Sequence, residues 1–316
     1  MSKIILLIFL IATGSYAQNK GCTDRYAKNF NAKATQNNGD CKYASAKVKA
    51  TFFSKLSDSI KETSGLIAFE KLFWTQNDDH DTTLYGLDTK GQIKKKIKLK
   101  IKNNDWEAIS QDSLYLYIGD FGNNYKGNRK DLRILRIEKK SILTTAPVID
   151  TIAFCYSNQK DFTDRKQNTT DFDCEAFVVL QDSIYLFTKQ WTTEKSSVYC
   201  FSKKSGTHTA QLKETLNVQG LITDATVLPK KKGIVLSGYS KMLQPFVYLL
   251  YDYKNNTFLT GNQRKIKITL PFHQIEGIAT NDGLLFYLTN EATIKKPFVN
   301  TPQQMHSVDL SLYLKE

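Results

Sequence analysis

The chain has 316 residues, 41% of them hydrophobic and 24% charged, with 44 Lys and Arg against 31 Asp and Glu and a formal net charge of +13. Beyond the N-terminus no segment reaches the length of a transmembrane helix. The positive charge suggests nucleic acid, but the lysines are scattered and no nucleic-acid motif is present, so a solvated basic surface is expected instead.

In chain order, the first element is "MSKIILLIFLIATGSYA". One Lys precedes an apolar run from Ile4 to Ala12, and small residues follow. This is the layout of a signal peptide over residues 1–17, cleaved after Ala17, which places the mature chain outside the cytoplasm: secreted, periplasmic or at the cell surface. Residues 18–45 follow as a polar, Asn-rich stretch, "GCTDRYAKNFNAKATQNNGDCKY", bracketed by Cys22 and Cys41. It has too few apolar residues for a core and is expected to be a module or linker stapled by a Cys22–Cys41 disulfide. Closing such a loop is worth about 3 kcal/mol in the chain-entropy model. Cys155, Cys174 and Cys200 leave an odd count and fit no zinc spacing; a Cys155–Cys174 pair stays open.

Residues 46–316 read as repeats. Five phrases align: "SGLIAFEKLFWTQND" from Ser64, "EAISQDSLYLYIGD" from Glu107, "EAFVVLQDSIYLFTKQ" from Glu175, "DATVLPKKKGIVLSGYS" from Asp224 and "EGIATNDGLLFYLTNE" from Glu276. Each is an apolar run, a turn and a second run rich in aromatic and β-branched residues, which is the signature of a hairpin. A third strand follows each phrase, and a fourth follows most. Four strands per unit at this spacing predict an all-β β-propeller of five blades, with six as the alternative. The last unit lacks a fourth strand, and "AKVKATFFSKL", ahead of the first unit, is expected to supply it and close the ring. The basic run "KKKIKLKIK" from Lys94 alternates charge with apolar residues, as an exposed edge strand does.

In such a fold the innermost strands line a central channel, and the loops into them share a face with the ends of the second strands. Glu107, Glu175, Asp224 and Glu276 therefore gather at one channel mouth. Asn77, Asp78, Asp120, Lys189, Tyr239, Asn290 and Glu291 stand at second-strand ends on the same face, and Trp106 and Trp191 flank them. Asp105 and Asp173 add carboxylates two residues ahead of Glu107 and Glu175. Like charges held close need compensation, and calcium suits carboxylates with Asn carbonyls. The expected ligands are Glu107, Glu175, Asp224, Glu276, Asn77 and Asn290. The competing expectation is that each acid fastens backbone N–H groups of a neighbouring blade. His80 and His273 are the candidates for a general base on that face. No G-x-S-x-G, H-E-x-x-H or Walker loop is present.

The phrases "SGLIAF…LFWTQNDD", "DWEAI…LYIGDFGNN" and "IEGIA…LFYLTNE", across residues 60–310, resemble a family of secreted bacterial propellers related to the phytase-like esterase group. More distantly they resemble the gluconolactonase/paraoxonase calcium hydrolases. The Cys22–Cys41 segment resembles short GCTD units of secreted bacterial proteins. The resemblance implies a channel-bound calcium ion held by an inner-strand Glu and by Asn or Asp residues of other blades; Glu107, Glu175, Asp224 and Glu276 occupy similar places, with Asn77 and Asn290 as neutral ligands. The first functional expectation is a monomeric binding or scaffold propeller that recognises a protein, a glycan or a small anionic ligand. The second is a calcium-dependent hydrolase of phosphoesters or lactones.

Overall fold

The computed structural model describes residues 18–314 except 79, 145, 230, 296 and 298, so the leader expected over 1–17 lies outside the described residues. Two short parallel strands, β1 (Lys20–Gly21) and β2 (Gln36–Asn37), stand in the N-terminal module, whose Cys22 and Cys41 form a disulfide. β3 (Ala46–Val48) and β4 (Ala50–Lys55) follow. An antiparallel sheet is then built from β5 (Thr63–Phe69), β6 (Leu72–Asn77), β7 (Thr83–Leu87) and β8 (Ile93–Lys98). The next group is β9 (Trp106–Gln111), β10 (Tyr115–Asp120), β11 (Arg133–Glu138) and β12 (Ile149–Tyr156). After it come β13 (Cys174–Leu180), β14 (Ser183–Thr188), β15 (Ser196–Ser202) and β16 (Gly206–Leu216). A fourth group is β17 (Leu221–Val227), β18 (Gly233–Tyr239), β19 (Pro245–Tyr251) and β20 (Asn262–Ile268). The last repeat supplies β21 (Ile275–Thr280) and β22 (Leu285–Asn290), a small hairpin of β23 (Thr293–Lys295) and β24 (Val299–Thr301), and β25 (Gln304–Asp309).

The fourth strand of that last sheet is β4, paired antiparallel with β25, so the N-terminal strand sits where the sequence leaves a gap. The outermost strands β12 and β16 pair in parallel and merge two groups into one eight-stranded sheet, and β3 pairs in parallel beside β20. The 131–170 span, considered for an extra blade, contributes β11 and β12. Cys155 is exposed, Cys174 buried and Cys200 half-buried, and all three are free thiols.

The innermost strands β5, β9, β13, β17 and β21 touch one another in that cyclic order, with β21 back beside β5. This is a propeller, and its core is divided accordingly. Side chains alternate across each sheet, so each strand feeds two different seams. Leu116 and Ile118 of β10 pack with Trp74 and Leu84 of the preceding group. Tyr117, between them, packs with Phe177 and Leu186 of the following one. Similar clusters join Phe187 to Leu236 and Phe246, Val247 to Phe286 and Leu288, and Met305 to Leu66 and Tyr85. Seams buried on both faces explain why the repeated runs are apolar throughout rather than alternating with polar residues.

The N-terminal module is docked. Asp24 accepts hydrogen bonds from the Tyr43 hydroxyl at 2.7 Å and from that of Tyr251, on β19, at 2.6 Å. Asn37 donates to Asn262 of β20 at 2.7 Å, and Arg264 lies over the Tyr43 ring.

Candidate functional site

Every innermost strand begins with a break in register against its neighbour, and the break decides what enters the channel. β9 skips Glu107, β13 skips Glu175 and β21 skips Glu276. A bulged residue is unpaired and turned out of the pleat, so the repeated phrase delivers three glutamates to one mouth. In β17 the skipped residue is Thr223 rather than Asp224, and in β5 it is the pair Gly65 and Leu66.

Asp224 thus lies one residue deeper than the glutamates. Its carboxylate accepts backbone N–H groups from Leu66 at 3.0 Å, Ala225 at 2.8 Å and Ile278 at 2.7 Å. It ties β5, β17 and β21 together as a fastener. The approach is close because Gly65, at φ +73°, and Gly277 carry no Cβ; one at Gly277 would stand 2.9 Å from the Leu66 Cβ. The cavity above it measures about 310 Å³.

The carboxylates in and beside that cavity fall into two groups. In the first, Glu107, Asp173 and Glu175 each offer an oxygen within 4.8 Å of the others. Asp173 is oriented by the backbone N–H of Asn123 at 2.7 Å and the indole of Trp191 at 2.7 Å. Asp105 lies beside Glu107, and a Cβ on Gly122 would come within 2.3 Å of both carboxylates, so a larger residue there would push them aside. In the second, Glu276 meets Gln274 and Tyr239, and Gln274 also donates to Glu291. Lys189 stands between the groups. Its ammonium lies 2.6 Å from Glu175 and over the rings of Trp191 and Tyr239, at 4.8 and 5.1 Å.

Burial and mutual repulsion raise the acids' pKa values. Burial, then the charges of Glu175 and Asp105, hold Glu107 well above the carboxylate range. Glu175 is raised in the same way by burial, with Lys189 opposing. Burial lifts Asp105 to about 7 and Glu276 to about 8, in each case against the pull of a nearby cation. Burial works against the Lys189 charge too, but Glu175 and Glu276 outweigh it and keep the ammonium ionised. The cluster is short of positive charge. Its donor set, carboxylate oxygens alone, fits a hard divalent cation, and among the described residues Glu107, Asp173 and Glu175 form a group that could hold one.

The other expected residues are placed as follows. Asp120 faces away, held by Arg129 at 2.9 Å and Arg133 at 2.9 Å. Asn77 donates its amide N–H groups to Ser59 and Asp81 and its oxygen accepts from the Glu62 N–H at 3.3 Å, while Asn290 donates to the Glu291 and Pro302 carbonyls and its oxygen lies 3.1 Å from the His306 ring. Asp78, Lys189, Tyr239, Glu291 and Trp191 line the cavity, and Trp106 is buried in the seam with Trp74. His273 is bonded to the Pro271 carbonyl and to Gln304, at 2.8 and 2.9 Å, and His80 stands in the loop after β6; neither lines the cavity. The phrase alignment missed Thr223, because a bulge leaves no trace in the apolar pattern. Gln274, two residues ahead of Glu276, carried no signal of its own.

No protein-family model matches the chain, and no curated protein matches it. Among solved structures it is similar to aldose sugar dehydrogenase from Streptomyces coelicolor in its PQQ-bound form. Identity there is 8%, over 84% of this chain and 98% of that one, with a TM-score of 0.47. It is similar to hydrazine synthase of Kuenenia stuttgartiensis at 12% identity, over 72% of this chain and 61% of that one, with a TM-score of 0.38. It is similar to YCF48 bound to D1 peptide at 11% identity, over 75% and 62%, with a TM-score of 0.35. The chain thus spans less than two thirds of the last two. At such identities the likeness assigns no activity.

Proposed function

We propose that this is an exported, five-bladed binding propeller, residues 46–316, whose acidic mouth takes up calcium and presents it to a partner. The single observation that carries the reading is the trio Glu107, Asp173 and Glu175, three buried carboxylates with oxygens within 4.8 Å of one another. Their raised pKa values record an energetic cost, and a divalent cation would remove it by replacing protons with charge. The disulfide suits an oxidising compartment.

Binding is preferred to hydrolysis of phosphoesters or lactones because, among the described residues, no histidine lines the cavity. Lys189 is committed to Glu175 rather than free to serve as a base. Calorimetric titration of the mature protein with calcium, together with phosphoester and lactone assays in calcium and in chelator, tests the reading. Saturable calcium uptake without turnover supports it. Calcium-dependent turnover would favour the hydrolase.

A further inference from the structure

The outer rim of the propeller carries a second feature, independent of the channel. A strand at the edge of a sheet presents unpaired N–H and C=O groups. Three of the outermost strands are covered: β12 and β16 by each other, and β20 by β3. Among the described residues β4 and β8 have no strand on their outer side. The two bare edges differ in chemistry. β4 exposes Phe52 and Phe53, whereas β8 exposes Lys94, Lys95, Lys96 and Lys98.

The β8 edge also borders a groove. A cavity of about 470 Å³ is lined by the four consecutive residues Lys95–Lys98 and, on its far wall, by Leu143 and Pro147 of the β11–β12 loop. Successive side chains of a strand point to opposite faces. Four in a row reach one space only where that space runs along the strand's edge. The pairing with β7 skips Lys94, so Lys96 and Lys98 share one face of β8 with Ile93, while Lys95 and Ile97 stand on the other. Lys94 and Lys98 rest 3.2 and 3.4 Å from Asp88 and Asp81 of their own sheet. The lysines of these pairs are exposed, and a partner's carboxylates can take the place of the aspartates at little cost.

We propose that β8 is a docking edge for an extended acidic segment of another protein, in which carboxylates alternate with β-branched apolar residues. Such a segment adds a strand to the sheet. Its main chain takes up the free hydrogen-bonding groups of β8. Its carboxylates fall opposite Lys96 and Lys98, within reach of the bulged Lys94, and its apolar residues fall on the face of Ile97. The lysines that stop two copies of this edge from pairing are the ones that admit a segment of opposite charge.

The probe is a fluorescein-labelled Glu-Val-Glu-Val-Glu-Val-Glu peptide, followed by anisotropy on the full mature protein. A control peptide of the same sequence carries N-methyl groups on the backbone nitrogens of alternate residues. The parent is expected to bind the first peptide at least tenfold more tightly than the second. The triple variant K94E/K96E/K98E, or K94Q/K96Q/K98Q should the first melt below the parent, is expected to lose at least tenfold. No binding by the parent overturns the proposal. Equal binding of the N-methylated peptide also overturns it, since charge alone would then be the attraction and a polyanion the fitting partner. So does binding that survives the lysine substitutions.

Discussion

Asp224→Ala removes the fastener beneath the mouth. The carboxylate satisfies three backbone N–H groups from three innermost strands, at 3.0, 2.8 and 2.7 Å, and is itself fully buried. Each buried donor left without an acceptor costs about 1–3 kcal/mol. Part of that is recovered because burial, which pushes the Asp224 pKa up, is a cost the parent bears. The expected net loss is about 3–5 kcal/mol, a fall in Tm of about 5–9 °C for a domain of this size. Asp224→Asn should lie between parent and Ala, because its amide oxygen still serves Leu66 and Ile278 while its N–H₂ meets the Ala225 donor. Thermal melts and urea titrations of the three proteins, in chelator and in calcium, measure both effects. An Ala variant melting within about 2 °C of the parent would refute the fastener. A variant that folds but no longer responds to calcium would make Asp224 a ligand instead.

Truncation past Phe53 removes much of β4, bares the outer edge of β25 and cuts β3 from β20; circular dichroism should show a sharp loss of stability, and an unchanged melt would contradict closure by this strand. Reducing the Cys22–Cys41 bond, which spans 19 residues, should cost about 3 kcal/mol of module stability and loosen the Asp24–Tyr251 contact, read as faster proteolysis within 18–45 with the remainder intact. His306 is buried, and burial, aided by the His273 charge, lowers its pKa from 6.5 to about 4. The unfolded chain therefore binds the extra proton between those values, so stability is full above pH 6.5 and falls by up to about 3 kcal/mol as pH drops to 4. His306→Gln should flatten that part of the urea-midpoint profile, and a profile identical to the parent's would assign the acid loss to other groups.

The repeated phrase marked the innermost strands because seams buried on both faces require unbroken apolar runs, and Glu107, Glu175 and Glu276 could be seen at their heads. The same alignment counted Asp224 as the fourth member. The register break in β17 falls on Thr223, and no composition rule distinguishes a bulged residue from its neighbour. Asn77 and Asn290 stand at the expected strand ends, yet their amides close loops, a choice made by backbone carbonyls distant in sequence. Asp173 was visible through its spacing from Glu175, but its place in the trio depends on Trp191 and Asn123, 18 and 50 residues away. The polar module read as a linker because its contacts to the propeller are hydrogen bonds, through Asp24 and Asn37, which apolar patterning does not register.

The most direct test is a crystal structure of the mature protein grown in calcium, beside one grown in chelator. The account predicts an ion about 2.3–2.6 Å from oxygens of Glu107, Asp173 and Glu175, with the Lys189 ammonium displaced from its 2.6 Å contact with Glu175. A calcium-grown crystal with no ion among the three carboxylates, and Lys189 still paired with Glu175, would contradict it.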